Sequence, residues 1–303
     1  MNFLYFLEGI RIPVLNEFML LVTQLGEEAA FFVVALVLFW CIDKRFGYYL
    51  LSVGFIGTLA NQFMKLHFRI PRPWVIDENF TILEAAREAA SGYSFPSGHT
   101  QSSVGTFGAI AYTTKNRLIR TISIAIAVLV PFSRMYIGVH TPLDVLVAAA
   151  MAVVLIFALK PVIYHANGKY IPALLGIMTA LSVGFLAYVS WFPFPIDIDA
   201  HNLASGTKNA YTLIGALVGL LVVFSVDTYI INFPTNAVWW AQILKTAGGL
   251  ILVLIIKSGL KAPINAIFGS SVGTAVRYFL IVVAAGTLWP LTFKWFSGLK
   301  RRS

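Results

Sequence analysis

The sequence predicts an all-α protein, a polytopic membrane helix bundle, and three observations carry that prediction. Hydrophobic residues make up 58% of the 303 and charged residues 12%, whereas a soluble domain is about 45–50% apolar and about 25% charged. Mean hydropathy is +0.81. Nine apolar stretches approach the ~20 residues that a helix needs to cross a bilayer: 27–42, 46–66, 97–114, 118–137, 141–164, 170–192, 208–227, 237–256 and 274–296. A cytosolic enzyme, a disordered chain and a secreted disulfide scaffold are excluded by the same figures. The single cysteine, Cys41, permits no intramolecular disulfide and no cysteine-rich metal site. A net charge of +9 would suggest nucleic acid in a soluble protein; in a membrane protein topology claims it first, and no nucleic-acid partner is expected.

Taken in order, residues 1–26 carry Glu8, Arg11 and Glu17 among Phe, Leu and Met, without a basic start or a small-residue cleavage site. They read as an interfacial amphipathic helix rather than a removable signal. The span 27–42 is short and borrows a turn from Leu25–Glu28. Residues 80–91 read as a short helix on a long exposed loop. Trp40, Trp191, Trp239, Trp240, Trp289 and Trp295 fall near span ends, as an aromatic belt would. The segment 193–207 is the expected break between a core of six helices (27–192) and an extension of about three (193–303), whose role the sequence does not assign.

Lys and Arg are retained on the cytoplasmic side and so report orientation. One set of alternate connections holds eleven basic residues, among them Lys44, Arg45, Lys300, Arg301 and Arg302, and the other holds nine. Setting aside Lys65, Arg72 and Arg134 for the site argued next leaves six on the second side. The first side is therefore expected in the cytoplasm, and the loops 67–96 and 134–140 outside it.

Ionisable residues at a membrane boundary are costly and mark function by default. Three short stretches hold them at helix ends on one side. Lys65 ends the second span, and Pro71 pushes Ile70 out of the helical region, which leaves Arg72 on the turn beyond. Pro96-Ser97-Gly98-His99 opens the third span, with Ser97 as a natural N-cap and the N–H groups of Gly98 and His99 free to bind an anion such as phosphate. Arg134 closes the fourth span and His140 opens the fifth. Thr141-Pro142 reads as a cap with proline at the first helical position. Asp144 then lies four residues after His140, able to orient its ring or to complete a capping box with Thr141.

Together these stretches resemble the three signature motifs of the type-2 phosphatidic acid phosphatase superfamily, which is shared with vanadium haloperoxidases. Its pattern is Lys-x6-Arg-Pro, then Pro-Ser-Gly-His, then Ser-Arg-x5-His-x3-Asp. Lys65, Arg72, Pro73, Pro96, Ser97, Gly98, His99, Ser133, Arg134, His140 and Asp144 match it without a departure. The resemblance implies a six-helix phosphatase core and a membrane lipid phosphate as substrate. In such a site His140 attacks phosphorus to form a phosphohistidine, Asp144 orients it, and His99 handles the proton of the leaving group. Lys65, Arg72, Ser97, Gly98 and Arg134 bind the phosphate. No carboxylate cluster outside the membrane offers a metal site, so neither metal nor cofactor is expected. The lipid itself is left open among phosphatidic acid, phosphatidylglycerol phosphate, polyprenyl diphosphate and phosphosphingolipids.

Other polar residues are set apart. His67 and Arg69 read as interfacial, and His165 and His201 as solvated, His201 in an outer loop. Lys245 is expected to snorkel or to pair with Asp227, and Gly248 and Gly249 to allow close helix packing. Asp227, Lys245 and Arg277 in the extension also admit a role in lipid selection or transport. Two alternatives to a phosphatase follow: a phosphotransferase using the same intermediate, and a lipid or phosphate transporter.

Overall fold

A computed structural model of the protein describes residues 1–90 and 92–299. Lys300, Arg301 and Arg302, used above for orientation, lie outside the described residues. Every regular element among the described residues is helical. Helices α1 (Asn2–Gly9) and α2 (Pro13–Gln24) precede α3 (Glu28–Cys41), α4 (Lys44–Phe68), α5 (98–113), α6 (Arg117–Tyr136) and α7 (Pro142–Tyr164). Then follow α8 (Ile171–Trp191), α9 (Ala200–Ile231), α10 (Trp239–Gly259), α11 (Lys261–Phe268) and α12 (Ser270–Gly298).

Helices stand in all nine expected segments, but six of them (α6 to α10, and α12) are long and apolar enough to cross a membrane. A seventh crossing results if α2 and α3, bent by 50°, form one broken span. The chain is a multi-pass membrane protein. Helix α4 has the length, but its last two turns carry Asn61, Gln62 and Lys65. The N-terminal segment is two helices rather than the single one expected, because Pro13 restarts the chain at its first helical position.

The chain divides into two compact units, and neither is a continuous segment. The first comprises Met1–Phe32, Val53–Lys160 and Pro193–Gly206. Its loop between α4 and α5 is exposed along one side, as at Val75, Ile76 and Glu88, and is held down along the other. Leu83 N donates to Ile137 O at 3.1 Å and Ser94 N to Ile70 O at 2.7 Å. Arg11 donates to Tyr136 O and Thr81 O at 3.0 and 2.9 Å. Met19, Ala86, Ala90, Tyr136, Ile137 and Val139 form a buried cluster beneath it. The helix expected over 80–91 is instead two 3-10 turns, Glu84–Ala86 and Glu88–Ala90, because Ala86 and Ala90 are drawn into that cluster and the turns tighten to place them there. Ser91 lies outside the described residues. Helix α9 starts at Ala200, earlier than its apolar stretch suggests. Asp199 Oδ1 accepts from Asn202 N at 2.7 Å and caps it, so its polar first turns are helical.

The second unit comprises Val33–Ser52, Pro161–Phe192 and Thr207–Ser303. Here three sequence expectations are corrected. Lys245 neither snorkels nor meets Asp227: its Nζ is buried and donates to Trp40 O and Thr235 O, both at 2.9 Å. Asp227 pairs with Lys44 Nζ at 2.7 Å instead. The chain reverses at Asn232, in the left-handed region at φ 42°, and brings Phe233 N back to Asp227 Oδ1 at 3.0 Å. Trp40 and Trp289 are not belt residues. Their indole N–H groups donate to Ala285 O and Lys245 O at 2.9 and 3.0 Å, and a Cβ at Gly249 would stand 2.5 Å from the Trp40 ring. Trp191, Trp239 and Trp295 are exposed, as a belt requires. Arg277 is buried, and its Nε and Nη1 have no hydrogen-bond partner.

Candidate active site

Several buried polar residues of the first unit, Arg72, Arg134 and His140 among them, line one small cavity. Helix α4 ends with Arg69 in the left-handed region at φ 52°, which turns the chain before Pro71. Lys65 Nζ, in the last turn, donates to Tyr93 O at 2.6 Å. One turn earlier Asn61 Nδ2 donates to Pro96 O at 3.2 Å. Arg72 is 7% exposed. Its Nε donates to Gly92 O at 3.0 Å, and its Nη1 donates to Val139 O at 2.9 Å and to His140 Nε2 at 3.0 Å.

Ser97 caps α5 as its position suggests. Its Oγ accepts from Thr100 N and Thr100 Oγ1, at 3.4 and 2.9 Å. Its N–H donates to Asp144 O at 3.1 Å, tying the second stretch to the third. A Cβ added at Gly98 would meet nothing closer than Asn61 Oδ1 at 3.8 Å. The space before the first N–H groups of α5 is therefore open to a ligand rather than filled by protein.

Arg134 and His140 are brought together by the turn between α6 and α7. Arg134 O accepts from both Val139 N and His140 N, at 3.1 and 3.3 Å. Gly138 turns the chain there at φ 87°, where a Cβ would also strike Arg11 Nη2 at 2.8 Å. The Arg134 side chain is buried. Its Nη1 donates to Thr23 Oγ1 at 2.7 Å, and its Nε has no partner.

A guanidinium only donates, so His140 Nε2 accepts from Arg72 and the ring proton sits on Nδ1. Nδ1 faces Ser94 Oγ at 3.3 Å and Asp144 Oδ2 at 3.4 Å. The Ser94 hydroxyl donates to that same carboxylate oxygen at 2.5 Å, and so does Thr141 N at 2.7 Å. Asp144 therefore completes the capping box and orients His140 at once. Burial, with the positive charges of Arg72, Arg134 and Lys65, holds His140 well below the usual histidine pKa. Burial also lowers Arg72 to about 10, against a partial offset from Asp144, so Arg72 stays charged near neutrality.

The cavity has a volume of about 160 Å³, below the ~300–1,000 Å³ of drug-sized sites, which suits a phosphate group rather than a whole lipid. Lys65, Arg72, Gly98, His99, Arg134 and His140 line it. His99 and His140 thus open onto one space. Ser97 and Asp144 are buried behind that lining. Sequence reasoning missed Ser94, Thr23 and the carbonyls of Tyr93, Gly92 and Val139. It also left out Gln62, Asn202 and Ser205, and it placed His201 in an outer loop, whereas His201, solvent-exposed as expected, stands in the first turn of α9 and lines the cavity. The offset of three between Gln62 and Lys65 on α4 is the one signal in the sequence that pointed to any of these. Among the described residues no group of three His, Cys, Asp or Glu side chains is placed to hold a metal ion.

Residues 44–168, which contain all three stretches, match the family model of the PAP2 superfamily. Residues 211–302 match a second model, described as the transmembrane extension of PAP2 superfamily phosphatases. The chain belongs to the PAP2 superfamily. It is similar to the undecaprenyl-diphosphatase BcrC of Bacillus subtilis, with 31% identity over 48% of this chain and 72% of that protein. Phosphatidylglycerophosphatase B of the same organism is 31% identical over 50% of this chain and 76% of its own length. Sphingosine-1-phosphate phosphatase 1 of Rattus norvegicus is 23% identical over 79% of this chain and 58% of its own length. No solved structure matches. As a PAP2 protein, this chain is a membrane phosphatase-type hydrolase whose substrate class is a lipid phosphate.

Proposed function

We propose that this PAP2 protein hydrolyses a lipid phosphate monoester or diphosphate through a phosphohistidine on His140, without a metal ion. The observation that carries this reading is the pair of contacts on His140: Arg72 on Nε2, and Ser94 with Asp144 on Nδ1. They leave a neutral ring whose Nε2 lone pair is held by Arg72 at the edge of the cavity. When phosphate enters, Arg72 transfers its N–H from Nε2 to a phosphoryl oxygen, and Nε2 attacks phosphorus. The bond from phosphorus to the leaving oxygen breaks, and His99 as imidazolium protonates that oxygen. His99 then takes a proton from water, which attacks phosphorus and returns the electron pair to Nε2. Asp144 balances the charge that develops on the ring. Lys65, Arg72, Arg134 and the N–H of Gly98 hold the phosphoryl oxygens, and Ser97 supports that turn. Three fixed cations supply the stabilisation that metals give in other phosphoryl transfers. The bias of basic residues among the connections favours the extracytoplasmic side for the site.

The test is free phosphate released from a panel of phosphatidic acid, phosphatidylglycerol phosphate, polyprenyl diphosphate and sphingosine 1-phosphate in detergent. His140→Ala lowers release by about 10⁴-fold or more and removes the acid-labile phosphoenzyme. More than a trace of activity in that variant overturns the nucleophile. Loss of wild-type turnover with a chelator, restored by magnesium, overturns metal independence. Release that requires an added acceptor lipid makes the protein a phosphotransferase.

A further inference from the structure

The residues that line the cavity are of two chemical kinds. The cations with His99 and His140 form one wall. The other consists of Gln62 from α4 with His201, Asn202 and Ser205 from α9, side chains that hydrogen-bond without a permanent charge. Residues 200–206 lie outside both family-matched segments, 44–168 and 211–302. Within this second wall Asn202 is committed to the fold. It is 5% exposed, its Nδ2 donates to Asp199 Oδ1 at 2.9 Å, and it fills the space where a Gly92 side chain would lie. His201 is exposed and Ser205 half-buried, and their offset of four puts them on one face of α9.

We propose that His201 and Ser205 are the leaving-group wall of the site. They contact the first polar group beyond the scissile phosphate and so select esters whose alcohol carries a hydroxyl or amine close to the ester oxygen. This rests on the phosphatase reading above. Its chemical basis is the division of charge. The cationic wall matches the phosphoryl oxygens, which leaves the neutral wall to whatever follows the bridging oxygen. Neutral donors and acceptors there match a hydroxyl or an amine. They leave a bare hydrocarbon unrecognised, and they lack the fixed cations that a second phosphate requires.

The experiment compares kcat/KM for two phosphate monoesters of equal chain length, sphingosine 1-phosphate and octadecyl phosphate, in mixed micelles. Wild type is expected to favour the amino alcohol ester by at least about tenfold. One or two rim hydrogen bonds account for a preference of that size. His201→Ala and Ser205→Ala each shrink the ratio by about threefold to tenfold, and His201→Gln restores most of it. A wild-type ratio near one overturns the proposal, and so does an equal loss on both esters in the variants or an unchanged ratio. If wild type cleaves both esters equally, only the leaving-group wall falls. If it cleaves neither, while the panel above also yields no phosphate, the phosphatase reading falls with it.

Discussion

Arg134 and Lys245 are buried to nearly the same degree, 3% and 1% exposed, yet the two cations meet burial in opposite ways. In the extension, Lys245 gives its ammonium to the carbonyls of Trp40 and Thr235 and stands 4.6 Å from the ring centre of Phe293. In the cavity, Arg134 is anchored through Nη1 to Thr23 while Nε keeps no partner. Desolvating a cation costs several kcal/mol unless partners replace water. Lys245 has found them within the fold, and Arg134 keeps one donor unpaired while it lines the cavity. Arg277 sharpens the lesson. It also has an unpartnered Nε, so an orphan donor alone does not mark a site. What sets Arg134 apart is a cavity shared with three imidazoles and two further cations.

Substitutions on the two sides break this comparison if their effects are alike. The largest effect is expected from Arg134→Met. It lowers kcat/KM by about 10²–10³-fold and leaves the melting temperature unchanged or higher, because a buried charge has gone. A large fall in Tm with modest loss of turnover makes Arg134 structural instead. Next, Asp144→Asn lowers kcat by about 10²-fold, since an amide still caps α7 but no longer balances charge on His140. Adding Ser94→Ala to it costs little more, because both act through the same oxygen; additive losses in kcat are the contrary result.

Lys245→Met reverses the pattern. Phosphate release stays within about twofold of wild type while stability drops by about 1–3 kcal/mol, the cost of leaving buried carbonyls unpaired. A selective loss of turnover gives Lys245 a part in the chemistry. The smallest effect is on pH. Folded His140 has a depressed pKa, so below about pH 6.5 the unfolded chain binds a proton that the folded one refuses. Stability is therefore complete above that value and drains away as pH falls below it. Thermal melts from pH 7.5 to 5 show this extra loss in wild type, and His140→Gln reduces it. An identical pH slope in the two proteins contradicts a neutral, buried His140.

Much of the site was legible because its signals are local. Ser97 before Gly98-His99, and Thr141-Pro142 before Asp144, state helix starts within a single turn, and the structure places both caps there. Ring orientation at an offset of four is likewise a property of one turn. The first turns of α9 were missed because a scan for apolar residues begins where polarity ends, whereas a helix begins at its cap, here Asp199. The depth of Lys245 in its span suggests snorkelling or a pair with Asp227, but the reversal at Asn232 gives Asp227 to Lys44.

Composition alone determined that this is a membrane bundle, because a chain so apolar has no aqueous fold that hides its surface. The order and spacing of eleven residues determined its family. Packing decided which distant groups join the site: Ser94 on His140, Thr23 on Arg134, and His201 with Ser205 in the cavity lining. Backbone geometry relates residues a turn apart, so a sequence announces those neighbours. Partners tens of residues away meet only when helices have chosen their faces, and no spacing encodes that choice.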